Sequence, residues 1–413
     1  MLEQAHIAFN KYPRQFWLMF LGMLISTIGA SMIWPFLLIY VSKRLNVSLT
    51  AVTSLLTLNA IFGIVFSFLG GPVIDRFGRK WIMAFSLAAN GLAYVFLGHA
   101  STFQQFAILL GLAGAVNPLY RTTADTMMAD LIPIEKRADS YALMRLSNNL
   151  GVSIGPLIGG FIASSSYTIA FYCAATGMIT YSLLIILFAG ETLPNPLNGV
   201  EKIQNNRERF GGYPKILKDS PFMSFVINFT LTTICAVMMW TVMPVYANRI
   251  YHVLENDYKW IPATNAIMVV TLQTTITSKV KRFSPLLIMM AGAFFYMVAV
   301  GSVALATGFW GFWICIVIMT IGELLIMPTS STYAAYLAPI EKRGRYMSLY
   351  SLGWPVASGI GPLIGGVLND SIGPRSIWFG GATIGLLSVL FFLFLSQRAL
   401  PRVNPPKPAA QHN

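Results

Sequence analysis

What this chain can fold into is decided by a series of apolar runs, each too long for the core of a water-soluble domain. They cover residues 15–42, 48–70, 81–99, 103–131, 138–165, 168–190, 219–247, 257–279, 285–306, 309–338, 344–369 and 374–397. A helix needs about 20 mostly apolar residues to cross the hydrocarbon of a bilayer. Charged residues make up only 10% of the chain, against about 25% in soluble domains. No run alternates as a barrel strand does, and in lipid a helix satisfies its own backbone polar groups. The chain is therefore expected to be an all-α membrane protein with twelve transmembrane helices.

A second feature divides those twelve. Residues 133–160 read PIEKRADSYALMRLSNNLGVSIGPLIGG, and 339–366 read PIEKRGRYMSLYSLGWPVASGIGPLIGG, an offset of 206 in a chain of 413. Duplication of a half-length unit explains the offset. It predicts two pseudo-symmetric six-helix bundles, at 1–190 and 219–397. The polar stretch 191–218 reads as the linker between them, and 398–413 as a disordered tail. Lys and Arg set the orientation. The interspan segments place 21 on one side, among them Arg76, Lys136, Lys279 and Arg343, and 5 on the other, Lys43, Arg44, Arg249, Lys259 and Arg375. The heavily basic side is expected to be cytoplasmic, with both termini there, in a cell membrane (plasma or bacterial inner). Met1–Pro13 shows no basic start and short apolar core, so no cleaved signal peptide is expected.

The same distribution removes other classes. A net charge of +13 first points to nucleic acid, but the basic residues sit in short clusters between apolar runs. The histidines, His6, His99, His252 and His412, lie at ends or loops, and Cys173, Cys235 and Cys315 are scattered in apolar runs, so no metal or disulfide spacing is visible. No P-loop and no enzyme motif is present.

Between the second and third runs stands GPVIDRFGRK, with Gly71, Asp75, Arg76, Gly78, Arg79 and Lys80. It resembles the loop signature of the major facilitator superfamily. KVKRFSPL at 279–286 is a degraded second copy. GVSIGPLIGG, with Gly151, Gly155, Pro156, Gly159 and Gly160, is similar to the Gly-Pro signature of that superfamily's proton-coupled drug antiporters, and Gly361, Pro362 and Gly365 repeat it. NPLYRTTAD resembles the family's intramembrane-arginine motif through Arg121, though its usual Gln-Gly is missing. The resemblance implies the major facilitator fold, in which the 71–80 loop gates the cytoplasmic side: Asp75 would face the start of the eleventh run near Arg345, and the basic residues would pair with the end of the fourth, Asp130 being the nearest carboxylate. The alternative is positive-inside charge in a tight turn. The glycines recur every four residues on one helix face, for close packing, for a hinge or external seal at the proline, or for both.

Charges inside the membrane are few because each costs at least ~2.5–3.5 kcal/mol at the bilayer centre. Glu323 lies about 14 residues from either end of its run, roughly 20 Å deep at 1.5 Å per residue. Its neighbourhood, GELLIMP, resembles the tenth span of proton-driven multidrug exporters. Burial favours the neutral carboxyl, so Glu323 is a candidate for proton coupling; a neutral acid held in a helix contact is the alternative. Arg121 and Asp125 are four apart and expected to form an intrahelical ion pair. Asp125 is the second coupling candidate, and Arg121 with Arg145 leaves excess positive charge for a substrate or a structural cluster. Asn148, Asn149, Gln273 and Trp354 complete the candidate cavity; Asn59, Asn228, Asn265 and Trp240 lie on spans that line it in the superfamily.

The combined expectation is a secondary transporter working by alternating access, without a cofactor and driven by a proton gradient. Export of amphipathic molecules or drugs in exchange for protons comes first. Movement of one specific metabolite or lipid is the alternative, and a non-transporting sensor the distant one. The expected partners are the bilayer, protons and a small-molecule substrate, with the chain acting as a monomer.

Overall fold

The protein is seen in a computed structural model, which describes residues 12–193, 213–339 and 342–399. Residues 194–212 of the expected linker and 400–413 of the expected tail lie outside that description. Twelve long helices stand where the apolar runs were expected: α1 (Arg14–Leu45), α2 (Leu49–Phe77), α3 (Arg79–Leu97), α4 (Phe103–Leu131), α5 (Ile134–Ser165), α6 (Tyr167–Phe188), α7 (Ser220–Tyr251), α8 (Trp260–Val280), α9 (Pro285–Val303), α10 (Gly308–Leu337), α11 (Arg343–Ser371) and α12 (Ser376–Ala399). Ten are long and apolar enough to cross a membrane; α4 and α8 are more polar, carrying Asn117, Arg121 and Asp125, and Asn265 and Gln273. Two of the helices are interrupted. A 3₁₀ turn at Trp34–Phe36 breaks α1 at Pro35, and Leu352 breaks α11.

Local chemistry starts and stops these helices. The Ser48 hydroxyl accepts the Ala51 N–H at the head of α2, Thr102 and Gln105 form a capping box on α4, and Asp219 accepts the Phe222 N–H on α7. Asn46 and His252 end α1 and α7 in the left-handed conformation, and they are 206 residues apart.

The duplication is visible in the packing. α1 packs on α5 and α6, α2 on α4, and α3 on α4 and α6; α7 packs on α11 and α12, α8 on α10, and α9 on α10 and α12. Each of these first-half pairings recurs six helices later. The repeated glycines follow the same register. Gly155 has no room for a Cβ because the Ile28 carbonyl lies against it, and Gly361 faces the Ile234 carbonyl; Gly159 meets Met32, and Gly365 meets Met238. Each partner is again 206 positions from its counterpart. These glycines seat α5 on α1 and α11 on α7. The last glycine of each copy looks the other way: Gly160 meets Lys259 and Gly366 meets Thr53, both across the boundary between halves. One phrase therefore closes the packing inside each half and the seam between them.

That seam lies at the end opposite the basic loops. Asp370 accepts the N–H groups of Leu49 and Thr50 at the head of α2, and the Thr57 hydroxyl donates to the Gly359 carbonyl. Lys43 Nζ lies 2.6 Å from Glu255 Oε1, which also accepts a 2.6 Å hydrogen bond from Tyr167. The largest apolar core runs continuously from Ile33–Val41 of the first half into α7–α12. Toward the basic loops the first half keeps a separate core around Phe16, Met83, Met128 and Tyr181. The halves thus join at one end.

At the basic end the expected 71–80 loop is helical except at Gly78, residues 71–77 being the last turns of α2 and Arg79 the first residue of α3, and this corner is tied within its own half. Arg79 Nε lies 3.0 Å from Asp130 Oδ2, which accepts a hydrogen bond from the Thr192 hydroxyl. Glu191, which no motif flagged, accepts the N–H groups of Arg79 and Lys80 and so caps α3 with a carboxylate. The turn works through Gly78, whose φ of +89° and ψ of 157° suit glycine alone and whose missing Cβ leaves space for the Glu191 carboxylate.

Gly78→Ala is expected to destabilise the protein by about 1–3 kcal/mol, read as a lower unfolding temperature in detergent, with a smaller loss for Glu191→Gln; equal stability of Gly78→Ala and wild type would contradict the cap. At the joined end, burial alone raises the Glu255 carboxyl, but the hydrogen bonds from Lys43 and Tyr167 outweigh it and hold it below the usual glutamate value. The latch is therefore whole above about pH 4.3 and is lost as pH falls through the lowered value. A spin-label pair on Val47 and Asn256 is expected to keep one distance from pH 8 to 5 in the wild type and to move apart at neutral pH in Glu255→Gln. An unchanged distance in the variant would show that the latch bears no load.

Candidate functional site

Between the halves lies a cavity of about 530 Å³, within the size range of small-molecule sites. Its roof is the seam, with Trp34 and Pro35 at the broken part of α1. Its walls differ in chemistry. The first half sends one amide from each of four successive helices: Asn59 (α2), Asn90 (α3), Asn117 (α4) and Asn148 (α5). Arg121 lines it one turn below Asn117, because residues four apart share a helix face. The second half contributes Trp240 (α7), Asn265 (α8), Glu323 (α10) and Trp354 (α11).

Glu323 lines this cavity at the middle of α10. Its Oε2 accepts a 2.7 Å hydrogen bond from the Asn265 amide, which also donates to the Thr320 hydroxyl at 3.0 Å. Thr320 in turn donates to the Ile316 carbonyl, so its position is set by its own helix. Among the described residues Glu323 has no cation in contact. A carboxylate at that depth, supported by a neutral donor and open to a cavity, is equipped to hold a proton or a small cation. α8 and α10 are further joined by Trp313 Nε1 donating to the Thr264 hydroxyl at 2.8 Å.

The expected site residues separate into two groups. Glu323, Arg121, Asn148 and Trp354 come together around the cavity; Pro156 of α5 also lines it. Asp125, Arg145, Asn149 and Gln273 are not on its wall. Gln273 instead donates to the Leu324 carbonyl and the Thr277 hydroxyl, joining α8 to α10. The expected ion pair of Arg121 with Asp125 is not a contact pair: their charges interact through space without an N–O distance of salt-bridge length. Residues four apart can bend their side chains to different surroundings, and here Arg121 turns to the cavity. Asp125 is reached from α5, where Tyr141 donates to its backbone carbonyl. Arg145 is close enough to Tyr350 of the other half to act on it electrostatically.

Asn148 accepts a long hydrogen bond from Thr27 at 3.5 Å, and Asn59 donates to the Leu110 carbonyl at 2.8 Å. Asn228 is buried and donates to the Ser388 carbonyl, a helix-packing role between α7 and α12. Reading the sequence missed Asn90, Asn117 and Trp34, since a single asparagine on an apolar helix carries no period. It also missed that Asn265 belongs to Glu323. A polar residue in α8 and another in α10 give no signal of partnership until their helices are packed.

Comparison with known proteins agrees with this architecture. The chain matches the Major Facilitator Superfamily over residues 19–296 and 249–412. It is 27% identical over 375 residues to a Na(+), Li(+), K(+)/H(+) antiporter of Planococcus maritimus, covering 84% of this chain and 86% of that one. It is 25% identical over 335 residues to the multidrug resistance protein MdtH of Shigella sonnei, covering 79% of each. Among solved structures it resembles a POT family transporter in complex with 5-aminolevulinic acid, with TM-score 0.78 at 16% identity, over 94% of this chain and 96% of that one. A bacterial homologue of the lysosomal transporter Spinster, in an inward-facing conformation, gives TM-score 0.74 at 14% identity, over 95% and 98%. Twelve paired helices, a doubled half and a cavity between the halves thus meet a family match across nearly the whole length: this chain belongs to the Major Facilitator Superfamily, a multi-pass membrane transporter and not an enzyme.

Proposed function

We propose that the protein is a proton-coupled antiporter that exports amphipathic small molecules by alternating access, with the basic loops and both termini on the cytoplasmic side. The observation that carries this reading is Glu323, a carboxylate lining the central cavity and held by Asn265 with no contact cation among the described residues. A group of this kind binds a proton in one opening of the molecule and yields it in the other, because each opening changes its access to water. Trp34, Trp240 and Trp354 give the cavity broad apolar faces, and the amides of the first half supply hydrogen bonds of both senses. That mixture suits molecules with an apolar body and a polar end. Arg121 offers a positive charge to a substrate anion or to the proton path, and the loop at Arg76–Lys80, with Asp75 and Asp130, acts as the cytoplasmic gate. Asp125 lies off the cavity wall and ranks second to Glu323 for coupling. The multidrug relative supports the substrate class.

In the cycle, substrate enters the cavity from the basic-loop side while Glu323 is ionised. The seam at Asp370 and Glu255 then parts, Glu323 takes a proton from the other side, and substrate leaves. The return transition carries the proton inward. No cofactor enters the cycle.

A second reading exchanges monovalent cations for protons at the same carboxylate. It is favoured by the oxygen of Thr320 beside Glu323 and by the cation/proton antiporter relative. Both readings put coupling on one residue. Purified protein in vesicles under an imposed pH gradient is expected to move substrate uphill, and Glu323→Gln to lose at least ~100-fold of that uphill rate while still binding substrate, because the neutral amide cannot carry a proton. Uphill transport by Glu323→Gln would refute the assignment. Competition among unrelated amphiphiles supports the first reading; proton release on adding Na⁺, Li⁺ or K⁺ alone supports the second.

A further inference from the structure

A second cavity of about 500 Å³ opens where α7 ends and α11 turns into α12, at the membrane boundary opposite the basic loops. It shares no lining residue with the central cavity. Arg375 lines it, and among the described residues its guanidinium makes no ion pair and donates no hydrogen bond. Tyr246 and Tyr251 stand on the α7 wall with their rings 5.8 Å apart. No carboxylate lines the pocket. Its rim is apolar and open: Ile250 is 41% exposed, Ile372 75% and Phe379 55%.

We infer that this pocket binds an anionic phospholipid of that leaflet, its phosphate on Arg375 and the tyrosine hydroxyls and its acyl chains along Ile250, Ile372 and Phe379. An unpaired guanidinium is a planar donor matched to phosphate oxygens, and phenolic hydroxyls add hydrogen bonds to the same group. The missing carboxylate selects the class. A zwitterionic headgroup would bring a cation next to Arg375 with no acid to receive it, whereas an anionic headgroup meets only positive charge. The apolar rim selects lipid over a free anion, since a soluble phosphate gains nothing from Ile250, Ile372 or Phe379. The pocket has no lining residue in common with the central cavity, which sets its occupant apart from the transported substrate. The site stands apart from Glu323 and holds whatever the central cavity carries.

The test uses the full chain, purified in detergent and stripped of lipid. Its unfolding temperature is followed against phosphatidylglycerol, phosphatidylcholine and inorganic phosphate. Phosphatidylglycerol is expected to raise it, saturably, and the other two to leave it unchanged. Arg375→Gln is expected to weaken the apparent affinity by about tenfold or more, the worth of one charge-assisted hydrogen bond, and Arg375→Lys to keep most of it. An equal response to phosphatidylcholine, an unaltered response in Arg375→Gln, or protection by phosphate alone overturns the proposal, the last by revealing a small-anion pocket. Should Arg375→Gln not fold, a photoactivatable phosphatidylglycerol added to the wild type decides the matter. Labelling within 246–251 or 372–379 sustains the site, and labelling confined to other segments removes it.

Discussion

Hydrocarbon supplies no hydrogen bonds and no screening, so every polar group that crosses it must bring a partner or face water. The whole molecule follows from that constraint. Backbones close on themselves as helices. Side-chain hydroxyls along the helices return to the carbonyl four residues earlier, as Thr123 does to Leu119 and Thr233 to Phe229. Several groups that are not satisfied within one helix pair between helices, as Asn228 does with Ser388, and others line the central cavity. Glu323 is the extreme case: among the described residues it has one amide donor and no contact cation, and a cavity lies beside it.

The seam between the halves answers the same constraint in another way. α2 and α11 approach closely because Gly366 and Gly359 carry no side chain there, and the exposed N–H groups at the head of α2 are taken by Asp370. The pseudo-symmetric contact of α5 with the α7–α8 turn uses Gly160 and the Lys43–Glu255–Tyr167 group instead. Two copies of one sequence phrase thus make equivalent approaches with different polar chemistry. The joint therefore combines a few polar contacts over small residues with the apolar core that runs from Ile33–Val41 into the second half. The basic end is organised differently, since Arg79, Asp130, Thr192 and Glu191 bind the first half to itself.

Much of this was legible in the residues. Apolar length marked all twelve helices to within a few residues at most ends, and the doubled PIEKR and GPLIGG phrases announced the six-helix offset that the packing repeats. Glu323 stood out because an acid in the middle of an apolar run is costly unless it is neutral, paired or facing water. Other residues misled for a physical reason. Gln273 looked like a cavity residue, yet its helix turns it onto the Leu324 carbonyl. Asp125 looked like the partner of Arg121, but spacing on a helix fixes where side chains start and not where they end. Glu191 and Asp370 gave no warning, because a carboxylate becomes a helix cap only when another helix begins beside it.

By itself, the sequence determined that this chain spans a membrane as helices, that it is a doubled unit, and that two carboxylates, Glu323 and Asp125, lie within its spans. Those properties depend on length, composition and repeat, which are local or periodic and survive without any tertiary contact. Only the tertiary structure decided that Asn265 serves Glu323, which amides share the cavity, which end of the molecule is joined, and that Arg375 stands beside two tyrosines with no ion pair among the described residues. Each of these depends on which helix faces which and at what rotation. The lipid-like sameness of the apolar surfaces leaves that choice to close packing at small residues and to a few polar contacts, and a linear pattern does not encode their meeting.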